Sequence, residues 1–205
     1  MKLTFTGKSL LAIGLTACGI LTLCSSSAAQ STAVEIDKYV RSVKKTEGAR
    51  NRTIVADTAT EEQTKAHWRV FPTEKALDRF REKSETYSIA YNWKLNGKLA
   101  TSHFTDFSAS GDWTEYTFHY FRPDGTIAKV EAELRTFYGD WIVIRHYYFD
   151  PAGKQIKKTS KYLDLTTNKP KKPTPEMPDV DAGVFAVTFY KRTNKLPFAG
   201  LVGVK

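Results

Sequence analysis

Residues 121–154 read FRPDGTIAKVEAELRTFYGDWIVIRHYYFDPAGK, and the same kind of turn stands at both ends of this stretch. The first turn is FRPDG at residues 121–125, and the second is FDPAG at residues 149–153. Each has a proline, whose restricted φ suits the start of a type I turn, and a glycine where the chain needs a left-handed residue. Both sequences therefore predict three-residue hairpin loops with a G1 bulge.

The two turns belong to a longer repeat. Gly97, Gly125 and Gly153 are spaced 28 residues apart, and we assign these glycines to turn geometry. The aromatic residue four positions before each glycine follows the same step, and these residues are Trp93, Phe121 and Phe149. The tripeptide Gly-Asp-Trp at residues 111–113 also returns at residues 139–141. A fixed period of this kind is the signature of stacked supersecondary units.

Between turns, the residues alternate as in a β-strand with one buried face. The even positions from 128 to 136 are Ala128, Val130, Ala132, Leu134 and Thr136, and the odd positions are Lys129, Glu131, Glu133 and Arg135. This pattern predicts an antiparallel strand that hides only its even side chains. The loop geometry further predicts that Tyr120 pairs with Ala128 and Phe118 with Val130.

The sequence thus predicts an α+β fold, an antiparallel β-meander of hairpin repeats with about six to eight strands. Residues 84–165 hold the repeats, and residues 184–190 read as a further strand near the carboxyl end. Apolar residues at helical spacing predict an amphipathic helix over residues 34–45. Thr73 is a candidate cap for a second helix. We expect these amino-terminal helices to cover the even face of the sheet, where Ala128 and Ala132 leave room.

The amino terminus has the order of a secretory signal. Lys2 and Lys8 precede an apolar run over residues 10–24, and small residues follow at 25–29. Cleavage before Gln30 removes both cysteines and lowers the formal net charge from +9 to +7. Residues 15–18 (LTAC) also resemble a lipobox, so the alternative is a lipid anchor on Cys18.

The predicted organisation is therefore a signal peptide over residues 1–29 and a single exported domain over residues 30–205. The Pro/Lys-rich stretch 168–179 is expected to be a loop within it. No sustained apolar run follows the first thirty residues, so we expect no transmembrane segment in the mature chain. The expected location is secreted or periplasmic, with attachment to the membrane through Cys18 as the alternative.

Part of the repeat resembles a known family. Gly139-Asp140-Trp141 is followed by residues 147–150 (YYFD) and by Gly153-Lys154. This order is similar to the hairpin repeats of the MORN-variant family, whose units carry G-x-W and then Y-Y-x-x-x-G-K. The resemblance covers about 80 residues with two good copies. It implies scaffolding or partner binding and transfers no catalytic residue.

The sequence lacks the usual motifs of catalysis. It has no G-x-S-x-G elbow, phosphate loop or dinucleotide fingerprint. Its four histidines lack the spacing of zinc ligands. Glu131 and Glu133 share one strand face, which we expect to be solvated and without a cleft. We therefore expect a non-enzymatic protein with no cofactor and no metal, and a hydrolytic enzyme ranks third among the functions considered.

A binding or envelope-associated protein is the first functional hypothesis. Trp93, Phe121 and Phe149 would form a row of rings beside the turns, close to Lys157 and Lys161. Exposed rings beside lysines suit an envelope polysaccharide, a peptide or an anionic surface. Export argues against nucleic acid as the partner. The competing interpretation is that the rings pack over the turns as structure.

A carrier of a small apolar ligand or lipid is the second hypothesis. Its pocket would lie between the sheet and the helices. The residues predicted to line it are Leu134, Ile144, Tyr39 and Leu77.

Overall fold

The computed structural model describes residues 21–48, 51–60, 63, 65–174 and 185–204. The helices are α1 (Leu21–Lys44) and α2 (Glu74–Arg81). The strands are β1 (Arg52–Asp57), β2 (Trp68–Phe71), β3 (Ser88–Leu95), β4 (Lys98–Phe107), β5 (Trp113–Phe121), β6 (Ile127–Thr136), β7 (Trp141–Phe149) and β8 (Gln155–Asp164). Most of the predicted signal segment, with Cys18, lies outside the described residues, as do residues 175–184.

The strands form one open antiparallel sheet in the order β2-β1-β3-β4-β5-β6-β7-β8. This confirms the α+β meander of hairpins. The two additional strands come from the amino-terminal side, as β1 and β2, and the prediction of a strand near the carboxyl end was wrong. Within the described part of that segment, residues 186–190 form neither a strand nor a helix.

A β-bulge recurs in every second hairpin of the meander. The register shifts once beside the turn in β3–β4, in β5–β6 and in β7–β8. The residues left without a cross-strand partner are Ala100, Ala128 and Ile156, which are again 28 apart. Because of this extra residue, Tyr120 pairs with Lys129 and Phe118 with Glu131. The predicted pairing was wrong by one position, since it allowed for the loop and not for a second bulge.

Both helices pack on the same side of the sheet, which we call the helix face. Helix α1 packs four apolar side chains against two bulge residues and two tyrosines of the sheet. The helix residues are Ala33, Ile36, Val40 and Val43, and the sheet residues are Ala100, Ala128, Tyr120 and Tyr148. Helix α2 buries Leu77 against Ile54, Phe71 and Ile89. Thr73 caps α2, because its side-chain oxygen accepts a hydrogen bond from the Ala76 N–H at 3.1 Å.

The helix face is the odd, charged face of β6, not the even face as predicted. Lys129 is only 4% exposed, and its Nζ donates to Asp37 Oδ1 at 2.8 Å and to Glu131 Oε1 at 2.7 Å. Lys44 donates to the other Glu131 oxygen at 2.7 Å. Helix α1 thus brings its own charges to pair with those of the strand. The prediction that only even side chains are hidden was therefore wrong.

The opposite side of the sheet is covered by residues 185–204, which we call the tail, and this side is the tail face. The even residues of β6 lie here, with Val130 fully buried. Leu196, Phe198 and Val202 of the tail belong to the same core cluster. Phe189 of the tail packs against the rings of Tyr147 and Phe149, with centroids 4.7 and 5.5 Å apart.

We expect Gly125→Ala to destabilise the protein more than Gly97→Ala. Both glycines have left-handed φ, +81° and +75°. That conformation disfavours an L residue by about 1–2 kcal/mol. At Gly125 the new Cβ would also lie 2.8 Å from Thr193 Oγ1 of the tail, whereas at Gly97 no atom of the described residues lies within 4 Å of it. Chemical denaturation of the two variants measures the difference, and equal losses would contradict this close approach of the tail to the turn.

Candidate functional site

A polar pocket lies on the tail face, between strands β3–β5 and the tail. Its volume is about 310 Å³. The polar side chains that line it from the sheet are Ser88, Asp106, Glu115, Thr117 and His119. Thr188 and Tyr190 line it from the tail. The pocket therefore exists only because the tail crosses this part of the sheet.

Strand alternation and register bring the polar side chains together. Glu115, Thr117 and His119 are spaced two apart in β5, so they point to the same face. Asp106 of β4 is the cross-strand partner of Glu115, and Ser88 of β3 is the partner of Asp106. Directly opposite residues have Cβ atoms about 4.5–5.5 Å apart. A serine and two carboxyl groups thus form one row across three strands.

The two carboxyl groups have perturbed proton affinities. Asp106 accepts a hydrogen bond from the Ser88 hydroxyl at 2.5 Å, and burial raises its pKa. Glu115 is 9% exposed, and burial together with the negative charge of Asp106 raises its pKa to about 8. Its Oε1 has no hydrogen-bond partner among the described residues. Glu115 is therefore mostly protonated at neutral pH, beside a second buried carboxyl.

His119 is a neutral hydrogen-bond acceptor in the same pocket. Burial lowers its pKa to about 4, and the side chain is 1% exposed. Its Nε2 lies 2.9 Å from the carbonyl oxygen of Thr188. A carbonyl only accepts, so Nε2 carries the hydrogen and Nδ1 carries a lone pair. In the described part of the chain this Nδ1 has no hydrogen-bond partner.

The three predicted rings do not form one exposed row. Phe121 and Phe149 are 0% and 2% exposed and lie in the core of the tail face. Trp93 pairs with Thr101, which pairs with Tyr120, so it lies on the helix face. Its Nε1 donates to the Gly48 carbonyl at 3.1 Å. In this arrangement Phe121 and Phe149 act as packing residues.

The other predicted positions are also dispersed. Lys157 of β8 lies over the Tyr148 ring at 5.3 Å, and Lys161 is exposed on the same strand. Gly97, Gly125 and Gly153 all have left-handed φ. Of the four residues predicted for an apolar pocket, Leu134 lies on the tail face, whereas Tyr39, Leu77 and Ile144 lie on the helix face. Those four side chains cannot line one cavity.

Sequence reasoning missed Asp106, Glu115 and His119 as a group. The available signal was that β5 places glutamate, threonine and histidine in line with Phe121, two residues apart. These β5 side chains can be recognised as pointing into the protein only when the strand register and the position of the tail are known. Polar residues at inward positions of a strand are the pattern to look for.

Comparison with known proteins identifies no relative of this chain: no family model, no curated protein and no solved structure matches it. Over the described residues, no three histidine, cysteine or acidic side chains are placed to hold a metal ion. The described helices include none that is long and apolar enough to cross a membrane. The resemblance to MORN-variant repeats stays a prediction.

We expect the effect of Glu115→Gln on stability to depend on pH. The folded protein keeps the Glu115 proton up to about pH 8, whereas the unfolded chain loses it near the ordinary glutamate pKa of 4.5. Between these values the folded state binds more protons, so this group lowers the free energy of unfolding by about 1.4 kcal/mol per pH unit as pH rises. The variant has no such titration, so its stability relative to the parent should increase from pH 5 to pH 8.

Urea denaturation of both proteins across this pH range measures the effect. Glu133→Gln is the matched control, since it removes a carboxyl of the same sheet that is partly exposed on the helix face. An effect of Glu115→Gln that is the same at pH 5 and pH 8 would contradict the raised pKa.

Proposed function

We propose that this chain is an exported, non-enzymatic binding protein whose ligand occupies the polar pocket. The observation that carries the proposal is that two residues lining the pocket have a buried polar atom with no hydrogen-bond partner among the described residues, Glu115 Oε1 and His119 Nδ1. An unpaired buried polar atom costs about 1–3 kcal/mol, so a ligand that pairs with it gains that free energy on binding. The basic, apolar and small-residue order of the amino terminus supports export.

The size and walls of the pocket favour a small polar ligand. Its volume of about 310 Å³ stands at the lower end of the range for ligand sites, about 300–1,000 Å³. Trp113, Phe104 and Tyr190 supply aromatic walls beside the polar groups. Such a mixture suits a small molecule or the end of a polysaccharide or peptide chain. It does not favour an apolar ligand or a lipid tail.

A hydrolytic enzyme is the second candidate, and one observation favours it. A protonated Glu115 stands directly opposite Asp106 in a pocket, an arrangement that resembles the acid and nucleophile pair of retaining glycosidases. Assays with chromogenic glycosides test this function. Hydrolysis that is lost in both Glu115→Gln and Asp106→Asn would favour an enzyme over a binding protein.

An anionic surface remains a proposed partner for a different region. Lys158 and Lys161 are exposed along β8, which is an edge strand of the sheet. Edge lysines also prevent edge-to-edge aggregation, so this surface carries less weight than the pocket.

We expect Ala186→Trp to abolish ligand binding. Ala186 is exposed and lines the pocket, so an indole there would fill the entrance at little cost in stability. Ala152→Trp is the matched control, since Ala152 is also exposed and lies in the turn between β7 and β8. Native mass spectrometry of the purified protein, followed by thermal-shift screening of small polar compounds, measures binding.

A copurified or screened ligand that is lost from Ala186→Trp and kept by Ala152→Trp supports the pocket. A ligand that binds both variants equally lies elsewhere and contradicts the proposal.

A further inference from the structure

Three groups in the polar pocket offer hydrogen-bond acceptors to a ligand. Asp106 offers carboxylate oxygens, and Glu115 offers Oε1, which has no hydrogen-bond partner within the described parts of the chain. His119 offers the lone pair of Nδ1, because its Nε2 hydrogen is used by the Thr188 carbonyl. These groups come from two neighbouring strands and line one cavity. A ligand that satisfies all three needs several hydrogen-bond donors.

The side chains that line the pocket include two acids, Asp106 and Glu115, in a chain whose total charge is positive. The formal net charge is +9, yet neither lysine nor arginine is among the described residues that line the pocket. Arg145 of β7 lies on the same face and places its guanidinium over the Tyr162 ring at 5.8 Å. Tyr190 of the tail lines the same pocket as Asp106, and burial together with the charge of Asp106 raises the pKa of the Tyr190 hydroxyl. An anionic ligand would be repelled by Asp106.

A small organic cation fits both properties. Ammonium and guanidinium groups carry three and five N–H donors and accept no hydrogen bond. Charge-assisted hydrogen bonds to a carboxylate are about twice as strong as neutral ones. We propose that the ligand of the polar pocket is a small organic cation, with an ammonium or guanidinium group held by Asp106, Glu115 and His119. This inference rests on the proposed function of the pocket.

Binding of a cation should be coupled to loss of a proton. Without ligand, Glu115 keeps its proton because burial and Asp106 disfavour a second negative charge. The positive charge of the ligand offsets that repulsion, so Glu115 ionises and its proton passes to the solvent. No covalent bond forms or breaks except this O–H bond. At pH 7 up to one proton is released, and affinity rises from pH 6 towards pH 8.

Isothermal titration calorimetry on the protein expressed from the full-length chain tests the inference. The cationic probes are methylammonium, putrescine, agmatine and glucosamine. The matched probes without positive charge are 1,4-butanediol, N-acetylglucosamine and succinate. We expect at least one cation to bind more than tenfold tighter than its uncharged counterpart. Titration in two buffers of different ionisation enthalpy measures the released proton.

Two variants test the groups that hold the cation. Both variants preserve shape: Asp106→Asn removes a negative charge, and Glu115→Gln removes the carboxyl that ionises when the cation binds. Each should therefore weaken cation binding at least tenfold. Glu115→Gln should also abolish proton release. Glu133→Gln on the helix face is the control and should leave both quantities unchanged. The ¹⁵N shift of His119 Nδ1 gives a second readout, since it should move when a donor binds it in the parent protein.

The outcomes separate this inference from the proposed function. If none of the four cations binds, or if binding persists in Glu115→Gln and Asp106→Asn, the inference is overturned. If a neutral compound binds in a manner that Ala186→Trp blocks, the pocket is a binding site and only the cationic class is wrong. If the pocket takes a cation without proton release, the coupling through Glu115 is overturned.

Discussion

The extra residue beside every second turn of the meander is the constraint on which the rest of the structure depends. A bulge at Ala100, Ala128 and Ile156 shifts the strand register by one, and it does so at the same place in the β3–β4, β5–β6 and β7–β8 hairpins. The bulged residues all belong to the cluster that packs against α1. Because a shift of one residue exchanges the two faces of a strand, the bulge decides which side chains meet the helix and which meet the tail.

The two faces are then covered by chain segments of different character. A helix satisfies its own backbone, so α1 and α2 bring apolar side chains and a few charges to the helix face. The tail is mostly irregular and must find partners for its backbone, and the Thr188 carbonyl finds one in His119. The sheet surface beneath the tail is therefore polar near the Thr188 carbonyl, and the polar pocket lies at this position.

The two faces of the sheet differ in whether their buried ionisable side chains have partners. On the helix face, Lys129 is 4% exposed and has carboxylate partners from both α1 and its own strand. On the tail face, Glu115 is 9% exposed and has one oxygen without a partner in the part of the chain that the structure describes. Removing one partner of a buried ion pair leaves an uncompensated charge and is strongly destabilising, so the folded state needs every member of the first group. The second lowers stability at neutral pH, and a buried group that does so is a candidate for function.

The sequence alone determined the hairpins, because the turn residues, the 28-residue period and the two-residue alternation are local properties of the chain. Thr73 as a cap and the amphipathic pattern of α1 were readable for the same reason. The bulge, the face that each helix covers and the position of the tail depend on contacts between distant segments, and no local pattern encodes them. Asp106, Glu115 and His119 became one site only through that register and that cover, so the candidate site belongs to the tertiary structure.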